Sequence, residues 1–251
     1  MSPSERLAAR ETDALSIRSV GMSFGSLSVL DGVSFGVAPG ETLGLVGPNG
    51  AGKTTLLDIV AGARRCDGGQ VLLSGRDVTR LAADRRCRLG LARTFQVPRP
   101  FGDLTVFENA LVGAVRGAGL RGRAAYDDVR GALVLTDLLA VANAPASSLR
   151  LLDRKRLELA RALAMRPRVL LLDEIAGGLT DPETAALVGT VRRVRDGGTA
   201  IVWVEHVLRA LTQVATRLVC LSAGRVLAEG APGEVLADLG VRAAYFGRSV
   251  L

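Results

Sequence analysis

A short apolar run of strand character, residues 42–46, leads directly into Gly47-Pro48-Asn49-Gly50-Ala51-Gly52-Lys53-Thr54. No other stretch constrains the fold as tightly. Three glycines in eight residues let the backbone take positive φ and turn several N–H groups toward one point. Residues 54–62 then carry an apolar pattern that predicts a helix. Strand, glycine loop, Lys-Thr and helix in that order satisfy the phosphate-loop pattern. In such a loop the backbone N–H groups and the positive end of the helix hold phosphate oxygens. Lys53 would reach the β- and γ-phosphates, and the Thr54 hydroxyl is a hard donor for Mg²⁺. The competing reading is a glycine-rich turn with no ligand. Lysine usage argues against that, because only Lys53 and Lys155 among the 32 basic residues are lysines.

Further strands are predicted at 16–20, 70–73, 169–172, 200–204, 218–222 and 225–229, with helices at 182–195 and 207–215. This alternation predicts an α/β sheet. Residues 104–165 have little strand character and open on Thr105 and Glu108, spaced as a capping box, so a helical lobe inserted into the sheet is expected. Residues 117–123 are expected to form a flexible loop within it. The longest apolar runs are of strand length, far below the roughly 20 residues that span a bilayer. Residues 1–12 are polar, carry both charge signs and lack the apolar core of a secretory signal. Cys66, Cys87 and Cys220 are odd in number and widely spaced, which suits neither a disulfide framework nor a close-spaced zinc site. The net charge is +7, but the arginines are dispersed and form no long basic run, so charge alone decides nothing about partners; no nucleic-acid partner is expected.

Two more strand ends carry chemistry. The run 169–172 is apolar throughout, as a strand buried on both faces requires, and ends in Asp173-Glu174. Asp173 can hold the shell of a Mg²⁺ ion, and Glu174 can orient and deprotonate a water attacking a phosphate. Alone, such a pair is more often a solvated loop start or helix cap; beside a phosphate loop it gains the catalytic reading. His206, the single histidine, follows the strand 200–204 with Glu205 between. It is either a structural surface residue or a donor to a γ-phosphate or its attacking water.

From about Leu15 to Gly247 these ordered motifs resemble the ATP-binding subunits of ABC transporters. The resemblance implies an α/β fold: a P-loop NTPase (RecA-like) core with an N-terminal antiparallel β-subdomain and an inserted helical subdomain. Residues 14–248 would form one cassette, with 14–97 and 167–248 as core and β-subdomain, 98–166 as helical subdomain and 1–13 as a flexible N-terminus. It further implies ATP and Mg²⁺ as cofactors. Phe24 would stack on adenine, and Gly47, Pro48, Asn49, Gly50, Ala51, Gly52, Lys53, Thr54 and Thr55 would bind the phosphates. Thr54, Gln96 and Asp173 would serve the metal, and Glu174, His206, Gln96 and Lys53 would act in catalysis. Thr180-Asp181 would face a partner subunit. The segments Asp173 to Thr180, Pro100-Phe101 to Glu108, and Ala244-Tyr245-Phe246-Gly247 resemble the branched-chain amino acid import group. That group implies a peripheral protein on the cytoplasmic face of the inner membrane. Its expected partners are transmembrane permease subunits, a second and different ATP-binding subunit and, indirectly, a substrate-binding protein. An exporter ATPase and a soluble, weakly hydrolysing regulator are the competing expectations.

One motif departs. Where the family carries Leu-Ser-Gly-Gly-Gln ahead of a helix expected at 154–165, this chain has Leu149-Arg150-Leu151-Leu152-Asp153. In the family the small residues let that helix N-terminus approach the partner's γ-phosphate. Here leucines add bulk, Arg150 offers a positive charge and Asp153 is an expected cap. The defect predicts an asymmetric heterodimer in which this chain's own nucleotide, completed by a partner's signature, is turned over preferentially. Ile175 and Thr180, where many members carry proline and aspartate, are milder departures.

Overall fold

In the computed structural model, which describes residues 12–246, alternating apolar side chains set the layers. The chain runs through β1 (Leu15–Phe24), β2 (Leu27–Val37), β3 (Thr42–Val46), α1 (Lys53–Ala61), β4 (Gly68–Leu73), β5 (Arg76–Asp77), α2 (Ala83–Arg88) and β6 (Leu91–Arg93). There follow α3 (Val106–Val112), a π-helical turn (Gly113–Gly117), α4 (Gly122–Leu135), two 3₁₀ turns and α5 (Leu151–Leu163). The last part holds β7 (Val169–Asp173), α6 (Asp181–Asp196), β8 (Ala200–Val204), α7 (Leu208–Thr212), β9 (Arg217–Ser222), β10 (Arg225–Gly230), α8 (Pro232–Ala237) and α9 (Leu239–Phe246).

Six strands form one sheet in the order β10-β9-β3-β8-β7-β6, parallel except for β10. Its strands are apolar at successive positions because both faces are covered. Leu43, Leu45, Val169, Leu171, Val202 and Val204 point to one face, packed with α1 and the second sheet. Leu170, Leu172, Ile201, Trp203, Leu218 and Cys220 point to the other, packed against α5, α6 and α7. The second sheet is antiparallel, β2-β1-β4-β5. Ser74 and Gly75, both at positive φ, make the tight turn between β4 and β5. The helices α3 to α5 enclose a separate apolar cluster around Val106, Val129, Leu133 and Leu157, joined to the sheet's core through Leu163. The Thr105–Glu108 capping box is formed in full. The expected fold class is therefore what the structure has.

Several expectations change. β2 and β6 were not legible as strands. The loop expected at 117–123 is confined to residues 118–121, since Gly117 closes the π turn and α4 begins at Gly122. The helix expected at 154–165 starts three residues earlier, with Arg150 at its N-cap, so Asp153 sits in the first turn and is paired with Arg156 instead of capping. Leu151 and Leu152 can begin a helix without strain, whereas two glycines there would favour a loop. The N-terminal segment 1–13, except its last two residues, and positions 247–248 lie outside the described residues.

All three cysteines are free. Burial at 0% exposure pushes the Cys220 thiol up to about 11, and burial also raises Cys87. Since the thiolate is the nucleophile, alkylation of the native protein near pH 8 is expected to label Cys66 and to spare Cys220 until the chain is unfolded. Peptide mapping checks this; Cys220 labelled as fast as Cys66 would contradict it.

Candidate functional site

β3 lies in the middle of the six-stranded sheet, so its C-terminal end is flanked by the ends of β8 and β9, with β7 one strand further. Ligand sites form at such ends. Gly47, Gly50 and Gly52 take φ of 146°, 79° and 99°. A Cβ on Gly47 would stand 2.1 Å from the Leu221 carbonyl oxygen, and one on Gly52 2.8 Å from the Val29 carbonyl oxygen, so side chains are excluded at both. Helix α1 begins at Lys53 with no side-chain cap and no acidic residue in its first turn. Its N–H groups are thus left for an anion. Lys53 Nζ donates to the carbonyls of Gly47 (2.7 Å) and Pro48 (3.0 Å). Desolvation lowers its pKa, against the opposing pull of Glu174 and Asp173. Thr54 is exposed, Thr55 half-buried, and Asn49 and Gly50 exposed at the loop's tip.

Glu174 leaves β7 with φ of +47°, a conformation that costs free energy for a residue with a side chain and is concentrated at functional sites. Its N–H donates to Val204 at the end of β8, which ties the two strand ends together. Gln96 Nε2 donates to Glu174 Oε2 at 2.5 Å, and His206 Nδ1 lies 3.5 Å from the same oxygen. Gln96, Glu174 and His206 are therefore brought to one point although 78 and 32 residues separate them from the carboxylate. Asp173 is nearly buried and accepts from Arg93 Nη2 at 2.9 Å, while Arg93 Nη1 reaches Asp58 of α1 at 2.6 Å.

A family model described as ABC transporter matches residues 30–177, more than half of the chain. The chain belongs to the ABC transporter family. It is 34% identical to the high-affinity branched-chain amino acid transport ATP-binding protein LivG of Escherichia coli K12, over 94% of this chain and 98% of that protein. Its identity to BraF of Pseudomonas aeruginosa PAO1, a protein of the same description, is 32% over 94% and 98%. Among solved structures, an ATP-binding cassette of an ABC transporter in its ADP conformation superposes with a TM-score of 0.87 at 27% identity, covering 94% of this chain and 99% of that one. The protein is an ABC-type ATPase cassette.

In this cassette Phe24 ends β1 and is 44% exposed, with the Arg64 guanidinium 4.8 Å from its ring centre. It belongs to the β1–β2 hairpin whose Val29 and Leu30 crowd Gly52, so the aromatic ring and the phosphate loop share one support. Thr54, Gln96 and Asp173 offer hydroxyl, amide and carboxylate oxygens. No group of three His, Cys, Asp or Glu side chains able to hold a metal occurs among the described residues. That donor set suits a hard cation which completes its shell with phosphate oxygens and water, as Mg²⁺ does. Thr180 caps α6 in a capping box with Glu183, and Asp181 is exposed beside Arg209. At the degenerate signature Leu151 is 45% exposed, and its Cδ2 lies 3.4 Å from where a Cβ on Gly178 would be.

Three supporting residues escaped sequence reasoning. Arg93 grips Asp173. Buried Glu205 accepts from the backbone N–H groups of Ala176, His206 and Val207, fixing the turn that presents the histidine. Tyr245 Oη accepts from the Gly47 N–H. A charged residue on a buried strand end, as with Arg93 and Glu205, was the available signal. Lys155, the other lysine, is buried on α5; desolvation lowers its pKa, with Glu205 and Glu174 pulling the other way.

Proposed function

We propose that the cassette binds Mg²⁺-ATP across its phosphate loop and hydrolyses it to drive an importer for branched-chain or related amino acids. The observation that carries the hydrolytic reading is the meeting of Gln96 and His206 on the Glu174 carboxylate at the sheet's C-terminal edge. The loop N–H groups and α1 hold the phosphates, Lys53 turns from its carbonyl partners to the γ-phosphate, and Phe24 stacks on the base. Thr54, Gln96 and Asp173 are the residues that would hold Mg²⁺, whose charge would offset the negative charge that builds on the phosphates. Glu174 accepts a proton from the attacking water; His206 and Gln96 fix the water and the carboxylate oxygen. The near full-length likeness to LivG and BraF supports the substrate class.

Residues 14–248 would act as one cassette, with 98–166 as a helical subdomain that swings when two cassettes close on ATP. No helix among the described residues is long and apolar enough to cross a membrane, which suits a peripheral subunit on the cytoplasmic face held by permease subunits. A second, different ATP-binding chain would complete the site, because Leu151 and Leu152 occupy the place of the family's small residues. ATP turnover by the purified chain over a range of concentrations, alone and with co-purified permease and ATPase subunits, tests this. Turnover that appears only with the partner, together with uptake of labelled leucine by reconstituted vesicles, is the expected outcome. Full turnover by the homodimer would overturn the heterodimer, and vesicles that leave leucine outside would overturn the substrate class.

A further inference from the structure

We infer that Tyr245, on the C-terminal helix, is a positioning residue for the phosphate loop and sets the cassette's affinity for ATP. Its hydroxyl accepts from the N–H of Gly47 at 2.6 Å, a contact across 198 residues of chain. Gly47 is the pivot on which the loop leaves β3. Its φ of 146° is one that residues with side chains rarely adopt, and the Leu221 carbonyl at the end of β9 blocks one face of its Cα. Its own carbonyl is held by Lys53.

Gly47 is thus fixed on three sides, and the three differ in permanence. Under the nucleotide-binding reading proposed above, on which this inference rests, Lys53 redirects its ammonium toward phosphate. The next residue, Pro48, has no N–H to anchor. Tyr245 and the end of β9 then remain as the fixed points from which the following N–H groups converge. Tyr245 is suited to this. Its ring packs with the core of the six-stranded sheet on the side of Val46 and Cys220, so the hydroxyl is delivered by a wedged side chain. Burial raises the phenol's pKa, so it stays protonated and uncharged through the neutral range. A loop held in its binding shape spares ATP the cost of ordering it, so losing the tether weakens binding more than it alters the chemical step.

The experiment is calorimetric titration of the full chain with ATP and Mg²⁺ for wild type, Tyr245→Phe and Tyr245→Ala, with melting temperatures and, with the partner subunits, kcat and KM. Tyr245→Phe keeps the ring and its packing. It should raise the Kd and KM for ATP by roughly five- to tenfold, the worth of one hydrogen bond to a half-buried N–H, with kcat within twofold and little change in melting temperature. Tyr245→Ala should weaken ATP at least as much and also lower the melting temperature. If the phenylalanine variant binds ATP within twofold of wild type, Tyr245 serves packing alone and the inference fails. Wild type that does not bind ATP would remove the nucleotide-site reading itself, a distinct result visible before any variant is compared.

Discussion

Glu174→Gln is expected to lower ATP turnover by about 10²–10⁴-fold, the range for removing a general base, while ATP still binds. The amide keeps the length and shape of the side chain, so the positive-φ turn and the tie from the Glu174 N–H to Val204 survive. What it loses is the ability to take a proton. Gln96 Nε2 and His206 Nδ1 now both face the same carboxylate oxygen, and an amide there presents either a weaker acceptor or a competing donor. One negative charge also disappears beside the phosphate position, so ATP affinity should hold or rise. Phosphate release and an ATP titration on the same preparation measure both halves. In the assembled heterodimer the same substitution should remove most of the turnover, because the intact catalytic residues and the degenerate signature belong to opposite sites. Turnover within about threefold of wild type would place the working base elsewhere and would also sink the asymmetric arrangement.

The parts of this site legible in the sequence are those whose geometry is local. Gly47, Gly50 and Gly52 stand where a side chain would collide or φ is positive, and β3, β7 and β8 are five-residue strands apolar on both faces, which leaves a plain sequence trace. β2 left none: Leu27–Val37 mixes serines, Asp31 and two glycines and is a strand because it pairs along β1. β6 is three residues long, too short for any periodicity. α5 begins three residues ahead of the expected start because Leu151 and Leu152, where the family carries glycines, are themselves good helix formers. Asp173, Glu174 and His206 could be named from strand ends, but their holders could not. Arg93 and Asp58, Glu205 and Ala176, and Tyr245 and Gly47 are 35, 29 and 198 residues apart, and only the folded sheet brings each pair together.

Arg93→Ala should produce the largest loss of stability, about 3–5 kcal/mol, the usual consequence of breaking a buried ion pair from one side. The Arg93 side chain is 10% exposed, Asp173 9% and Asp58 29%, so water cannot readily replace the guanidinium. Removing it leaves Asp173 desolvated and in the neighbourhood of a second carboxylate, and leaves a cavity between β6, β7 and α1. The cost already present, a buried Nε with no partner among the described residues, is small beside that. Arg93→Lys is only a partial rescue: it should recover part of the loss by restoring charge, but an ammonium lacks the planar fork that spans two carboxylates. A double-mutant cycle separates the terms. With Asp173→Asn in the background, Arg93→Ala should cost at least 1 kcal/mol less than in wild type, since no buried charge remains on β7. Urea unfolding, followed by the midpoint at constant m, reads each step. A loss below about 1 kcal/mol for Arg93→Ala would mean that Asp173 turns to solvent when released. Its carboxylate would then be free to reach a metal without the arginine, and Arg93 would matter for orientation rather than for holding β6, β7 and α1 together.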